Sequence, residues 1–130
     1  MSSTLTHAVG RRKTAIASVR LQKADKNSLV VNGKTPLEYF KTQDRTRTAE
    51  EAFSLETTGT YAAIAHVEGG GISAQAEAVR HAISRAIVET EPAARKTFKT
   101  AGFLTRNARV KERKKPGKVK ARKSKQWSKR

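Results

Sequence analysis

Alternating apolar and polar positions predict four β-strands, at residues 4–9, 15–21, 29–31 and 61–68. In the second of these, alanine, valine and leucine occupy every other position, so one face of that strand is expected to be buried. The strand at 29–31 is expected to run antiparallel to the strand at 15–21. The segment 61–68, YAAIAHVE, is apolar on both faces, which is typical of a strand in the centre of a sheet.

Apolar residues spaced by three and four positions predict one long helix, from residue 72 to about residue 88. The apolar stripe of this helix consists of Ile72, Ala76, Val79, Ile83 and Ile87. The polar residues expected largely off the stripe are Gln75, Arg80, His81 and Arg85. Since Glu77, His81 and Arg85 follow one another at intervals of four, they are expected to form an ordinary intrahelical network.

Capping residues indicate where further helices begin and end. Thr35 followed by Pro36, with a glutamate three positions after the threonine, predicts a helix start. The segment 48–51 repeats this spacing and predicts a second short helix. Thr90 is expected to cap the last helix and Gly102 to end it.

Length and composition bound the domain organisation. The chain has 130 residues, enough for one globular domain at 1–105 and a tail at 106–130. Cysteine is absent, so disulfides and thiolate metal sites are excluded. No apolar run is long enough to span a bilayer, and the first residues lack the apolar core of a secretory signal, so neither a membrane segment nor secretion is expected.

The charge distribution is strongly asymmetric. Residues 106–130 contain 13 lysines and arginines and one glutamate, so they carry +12 of the total net charge of +17. The basic residues of this tail are Arg106, Arg109, Lys111, Arg113, Lys114, Lys115, Lys118, Lys120, Arg122, Lys123, Lys125, Lys129 and Arg130. With few apolar side chains and a Pro-Gly break at 116–117, the tail is expected to be an extended coil when free.

A polyanion is the partner that fits such a tail, because a phosphate backbone releases counterions when lysine and arginine neutralise it. A solubilising tail would more often be acidic or of mixed sign. A membrane-binding helix would need an apolar stripe, which the tail lacks. Nucleic acid is therefore the expected partner. Trp127 either stacks on a base or sugar or packs on a neighbouring protein, and the sequence leaves both open.

Two features of the body are further candidates for phosphate contacts. Arg11, Arg12 and Lys13 precede the strand at 15–21, either as a solvated strand end or, together with the tail, as a second phosphate contact. Gly69, Gly70 and Gly71 lie between a predicted strand and a predicted helix, where backbone N–H groups can face an anion. A tight turn explains the glycines equally well, and neither a P-loop nor a dinucleotide fingerprint is present.

Catalysis is not indicated. The three histidines, at 7, 66 and 81, lack metal-ligand spacing. Paired carboxylates, a nucleophile elbow and a Cys–His pair are also missing from the sequence. We therefore expect neither an enzyme nor a bound metal or cofactor.

Several separated stretches together resemble a known family. They are GRRKTAIASVRL at 10–21, VNGKTPLEYF at 31–40, VEGGGISAQAEAVRHAISRAI at 67–87, AGFLTRNARVKERKKPG at 101–117 and SKR at 128–130. In order and spacing they are similar to bacterial-type small-subunit ribosomal protein nine over nearly the whole chain. Two departures are a short segment at 53–61 and a tryptophan where the family more usually has phenylalanine or tyrosine before SKR.

The resemblance implies an α+β fold. The body is expected to be a two-layer α/β structure with a mixed sheet of about four strands and a left-handed βαβ crossover, like the second domain of ribosomal protein five. An extended basic C-terminal tail completes the expected architecture. The left hand would break the usual rule for such crossovers, so it follows from the resemblance alone.

The resemblance also implies a structural role in the small ribosomal subunit. The family binds the three-prime major domain of the 16S-type rRNA in the subunit head. The resemblance therefore assigns rRNA contacts to Arg11, Arg12 and Lys13, to Gly69, Gly70 and Gly71, and to the basic residues of the tail from Arg106 to Lys125. Its tail reaches the anticodon stem-loop of P-site tRNA, which assigns tRNA contacts to Ser128, Lys129 and Arg130. Neighbouring head proteins are further expected partners, and no homo-oligomer is expected. The expected location is the cytoplasm of a bacterium or an organelle. A free nucleic-acid architectural protein or chaperone is the alternative.

Overall fold

Strands and helices make up most of the chain as far as residue 101. A computed structural model describes residues 5–55 and 59–128. The strands are β1 (Thr6–Arg12), β2 (Ala15–Lys23), β3 (Ser28–Val31) and β4 (Tyr61–Glu68). The helices are α1 (Pro36–Phe40), α2 (Gln43–Glu50), α3 (Ile72–Thr90) and α4 (Arg95–Ala101), with 3₁₀ turns at Glu51–Ser54 and Pro92–Ala94. Within the described residues a strand thus occupies each of the four predicted positions, although Thr4 lies outside them and β1 extends to Arg12 rather than ending at residue 9.

The four strands of the described residues form one mixed sheet in the order β1-β2-β4-β3. β1 pairs antiparallel with β2, β2 pairs antiparallel with β4, and β3 pairs parallel with β4. The prediction that residues 61–68 form a central strand is therefore confirmed. Residues 29–31 do run opposite to β2, as predicted, but β4 lies between these two strands, so they do not pair.

The parallel pairing of β3 with β4 requires a crossover connection, because parallel neighbours cannot be joined by a tight hairpin. α1, α2 and the first 3₁₀ turn lie within this crossover. The α+β class and the mixed four-stranded sheet are confirmed. The left hand of the crossover, the boundary at residue 105 and the extended form of the tail stay predictions.

Helix α3 packs against β1 and β2 and provides much of the core. Ile72, in its first turn, is 37% exposed, whereas the other four residues of the predicted stripe are fully buried. A second fully buried row, beside that stripe, consists of Ala78, Ala82 and Ala86. These small side chains let β1 approach the helix so closely that Gly10 lies against the helix backbone.

Only one face of β4 is buried, although apolar residues occur on both faces of this strand. Ile64 is 60% exposed, and His66 and Glu68 on the same face are exposed as well. The buried and exposed residues of β4 alternate along the whole strand. The reason is that a two-layer fold covers only one face of its sheet, even at a central strand.

The capping predictions have mixed outcomes. Thr35 does cap α1, since its Oγ1 accepts a hydrogen bond from the N–H of Glu38 at 3.3 Å, and Gly102 ends α4 with a left-handed φ of 83°. Thr48 and Thr90 do not begin helices but lie in the last turns of α2 and α3. Both hydroxyls instead donate to a carbonyl four residues back, a bond that lets threonine sit inside a helix.

Candidate nucleic-acid interface

The hairpin between β1 and β2 presents three basic residues at one end of the sheet. Arg12 pairs with Ala15 across the hairpin, which leaves Lys13 and Thr14 as the turn. Lys13 has a left-handed φ of 53°, and its side chain is exposed, as is that of Arg11. Arg12 is half-buried and donates through Nε to the carboxylate of Glu77 on α3. The hairpin therefore offers two exposed cations and one cation anchored to the long helix.

The three glycines before α3 pack against this hairpin turn. Gly69 and Gly70 have φ values of 75° and 63°. A Cβ atom at Gly69 would lie 2.6 Å from the carbonyl oxygen of Thr14, and one at Gly70 would lie 2.9 Å from the N atom of Ala15. The tight turn thus accounts for both residues, whereas Gly71 has open space around it. An anion-binding role for the glycines stays a prediction.

Polar side chains fix the first turn of α3. Gln75, expected to lie off the apolar stripe, is in fact buried. Its Oε1 accepts from the hydroxyl of Tyr39 at 2.7 Å and its Nε2 donates to the carbonyl of Gly69 at 2.9 Å, so its polar atoms are satisfied inside the body. Arg45 on α2 donates to Ser73 Oγ at 3.1 Å. Arg45 therefore adds a cation near the start of α3 that the sequence analysis did not include.

A cleft of about 480 Å³ brings the hairpin, α3 and the beginning of the tail together. We call it the basic cleft. Its five arginines are Arg11, Arg12, Arg80, Arg106 and Arg109. One carboxylate, that of Glu77, is the acidic group among the described residues that line it. Four of the five arginines were predicted to bind RNA from two distant parts of the sequence, and the fold makes them neighbours.

Arg80 is the arginine of the cleft that the sequence analysis missed as a site residue. Its Nη1 lies 2.7 Å from Oε2 of Glu51, and its guanidinium lies 4.9 Å from the ring centre of Phe103. Phe103 in turn lies 6.5 Å from the ring centre of Phe98 and packs against the core with Leu104. The segment before the tail is therefore attached to the body by these aromatic and apolar contacts.

A second contact ties the tail to the hairpin. Arg12 Nη1 donates to the carbonyl oxygen of Arg109 at 3.2 Å. Arg12 thus bridges the Glu77 carboxylate of α3 and the backbone of the tail. This bridge is a contact between the body and the tail in the free protein.

The predicted intrahelical network of Glu77, His81 and Arg85 is wrong. Glu77 binds Arg12 instead, and Arg85 Nη1 donates to the carbonyl oxygen of Val9 at 2.6 Å. Both partners belong to β1, so contacts between elements replace the contacts along the helix. His81 is left between them, facing the basic cleft.

The surroundings of His81 disfavour the charged form of its ring. Burial lowers the pKa of its imidazole, and the guanidinium of Arg85 lowers that pKa further. The backbone of Leu104 raises the pKa, while Arg106 and Arg80 lower it. The Nδ1 atom is buried and lacks a hydrogen-bond partner among the residues that the structure describes.

The rest of the tail is exposed and mostly irregular up to Ser128. Glu112 accepts from Lys115 Nζ at 2.9 Å and from Arg122 Nε at 2.8 Å, and these cations hold the pKa of its carboxyl below the ordinary value. Trp127 is 80% exposed. The predicted tRNA contacts Lys129 and Arg130 lie outside the described residues.

Metal sites and membrane-spanning helices were also sought among the described residues. Within residues 5–55 and 59–128, no group of three histidine, cysteine or acidic side chains is placed to hold a metal ion. Over the same residues, no helix is both long and apolar enough to cross a bilayer. The conspicuous chemical feature is the concentration of guanidinium and ammonium groups at the hairpin, the cleft and the tail.

Together, a small α+β body with a basic cleft and a strongly basic tail defines a protein that binds a polyanion. The comparison with known families identifies which one. Residues 10–130 match the family described as Ribosomal protein S9/S16, and the chain belongs to this family. It is therefore a structural ribosomal protein of the small subunit that binds rRNA and takes part in translation.

Proposed function

We propose that this protein binds the three-prime major domain of the small-subunit rRNA, in the head of the subunit, and contacts P-site tRNA with its last residues. The observation that supports the rRNA contact is the basic cleft, in which hairpin residues 11–12 meet tail residues 106–109. Arg12 and Arg80 are each paired with a glutamate, and the other three arginines of the cleft leave an excess of positive charge that an RNA backbone can neutralise.

The proposed rRNA surface continues from the cleft in two directions. On the body it includes Lys13 and the exposed turn from Gly69 to Gly71, which packs beside the hairpin. Along the tail it follows the basic residues from Lys111 to Lys125, whose side chains are exposed apart from their contacts with Glu112. The protein would act as a single copy beside other head proteins.

The tail provides the reach that a tRNA contact requires. A fully extended segment covers about 3.3 Å per residue, so twenty residues span roughly 65 Å. This is enough to leave the body and pass through a layer of RNA. At the tip, the guanidinium of Arg130 can bind a phosphate with two parallel hydrogen bonds, which a lysine ammonium cannot do.

The experiment compares ribosomes that carry a deletion of residues 128–130 with wild-type ribosomes. One charge-assisted contact contributes about 1.5–3 kcal/mol, so its loss should weaken P-site tRNA binding by on the order of ten- to a hundredfold. Assembly should be normal, because the basic residues before the tip still hold the rRNA. Filter binding of tRNA and sucrose-gradient sedimentation measure the two quantities.

The matched control is the double variant Lys123→Ala, Lys125→Ala, which also removes two positive charges but keeps the tip. This variant should bind tRNA normally. If both variants lose tRNA equally, the effect is one of general charge and the tip has no special role. If the deletion stops subunits from assembling, the tip is an rRNA anchor instead.

We place the protein in the ribosome of a bacterial cytoplasm, with an organelle ribosome as the alternative. The rRNA that copurifies with the native protein distinguishes them, because its sequence reports the source. A protein that sediments apart from small subunits would instead indicate a free nucleic-acid chaperone.

A further inference from the structure

The basic cleft contains cations that have no anion to bind. Arg12 is occupied by Glu77, and Arg80 by Glu51. The side chains of Arg11, Arg106 and Arg109 form no ion pair or hydrogen bond within the described part of the chain. These three unpaired arginines come from the hairpin and from the tail, yet they line one cavity.

His81 lies in the wall of the same cavity. The charged groups that act on its ring are Arg80 and Arg85 on its own helix and Arg106 on the tail, with the carbonyl of Leu104 opposing them. The carboxylate of Glu77, one helical turn away from His81, is paired with Arg12. A protonated His81 would therefore add a further positive charge to a group of cations that lacks an anion.

We propose that the basic cleft is a specific site for one phosphate group, held by Arg11, Arg106 and Arg109, and that His81 binds a proton when the phosphate enters. A phosphate offsets the repulsion among the arginines and favours the charged imidazolium. A protonated ring carries an N–H donor on each nitrogen, whereas the neutral ring carries one, and Nδ1 of His81 has no hydrogen-bond partner among the described residues of the free protein.

The phosphate would belong to an RNA backbone, so the inference rests on the proposed rRNA binding. It adds two properties to that binding. The tail and the body would share one phosphate, so RNA would fix the exit direction of the tail. Occupation of this one position would also be coupled to proton uptake, so the affinity at the cleft would increase as the pH falls through the pKa that His81 has in the phosphate-bound form.

Sulfate is a suitable probe, because it keeps its two negative charges over the whole pH range in which histidine titrates. The experiment records NMR titration curves of the histidine rings in the full-length protein, in sodium sulfate and in sodium chloride of equal ionic strength. We expect sulfate to raise the pKa of His81 by about one unit, which corresponds to a tenfold tighter hold on sulfate when the ring is charged. The exposed His66, on the open face of the sheet, is the internal control and should not respond.

Two variants separate a specific site from general charge. Arg106→Ala, Arg109→Ala should abolish the effect of sulfate on His81, whereas Lys123→Ala, Lys125→Ala should preserve it with the same loss of charge. Equal shifts at His81 and His66, or an unchanged shift without Arg106 and Arg109, would overturn the proposal. Incorporation of the wild-type protein into small subunits is measured separately. If incorporation is normal and the sulfate effect is absent, the phosphate site fails while the proposed rRNA binding stands.

Discussion

The close approach of β1 to α3 predicts a large effect of a single methyl group at Gly10. A Cβ atom added there would lie 2.1 Å from the carbonyl oxygen of Ala78 and 2.4 Å from the N atom of Ala82. Both atoms belong to the helix backbone, so no side-chain rotation can relieve the overlap. The strand and the helix must move apart by about 1 Å to restore van der Waals distances.

The cost of Gly10→Ala follows from this geometry. Overpacking a core typically destabilises a protein by about 1–3 kcal/mol, and two backbone overlaps place this variant at the upper end or beyond. We expect at least about 3 kcal/mol, a large part of the roughly 5–15 kcal/mol that stabilises an ordinary domain. Separation of β1 from α3 would also weaken the contact between Arg12 and Glu77, and hence one wall of the basic cleft.

Urea denaturation followed by far-ultraviolet circular dichroism measures the change in unfolding free energy. Gly71→Ala is the matched control, because Gly71 has an ordinary φ of −92° and no atom within 4 Å of an added Cβ. This control should cost no more than about 1 kcal/mol, through a weaker helix cap. If Gly10→Ala is as stable as Gly71→Ala, the helix does not lie against β1 as described, and the geometry of the cleft fails with it.

Three further predictions concern the tail, the cleft and the end of β3. If about ten tail charges neutralise phosphates, the slope of log rRNA affinity against log salt concentration should lie near −7 to −9. Deletion of residues 106–130 should make this slope less steep. An unchanged slope would mean that the phosphate-neutralising charges lie in the body. In the free protein the pKa of His81 lies below its ordinary value of 6.5, so the unfolded state binds more protons and stability should fall as pH drops below 6.5. Urea titrations at pH 7.5 and 5.5 should show this loss, with a smaller one in His81→Asn; equal losses would contradict it. Asn32 has a φ of 49°, and its side chain accepts from the N–H of Val67 at 2.9 Å and donates to the carbonyl of Val67 at 3.0 Å. Asn32→Ala should therefore lower the unfolding free energy by about 2–4 kcal/mol in the same assay, and Asn32→Gly by somewhat less. A neutral result would refute the role of these bonds.

Local patterns in the sequence predicted the elements that local physics controls. The alternation at 15–21 and the spacing of three and four in α3 reflect which side of one element meets the core, so they can be read without a partner. Thr35 and Gly102 act within their own helices, and both were predicted correctly. Thr48 and Thr90 were not, because a threonine inside a helix can bond back to its carbonyls and then resembles a cap in sequence alone.

Local sequence patterns did not predict the contacts between residues far apart in the chain. Periodicity assigns residues 61–68 to a strand, but only the assembled sheet places that strand between β2 and β3 and leaves Ile64 on an open face. From its position off the apolar stripe, Gln75 was expected at the surface. It is buried because it bonds Tyr39 and Gly69, and these partners are known only from the fold.

The candidate site divides in the same way. The sequence by itself determined that the protein is strongly basic, that its charge is concentrated after residue 105, and that Arg11, Arg12 and Lys13 are a second basic group, because charge is a property of composition. The tertiary structure decided that Arg12 reaches the backbone of Arg109, that Arg80 and His81 belong to the same cleft, and that Gly10 must have no side chain. Each of these joins residues far apart in the chain, and their distance is set by how the sheet, α3 and the start of the tail pack together.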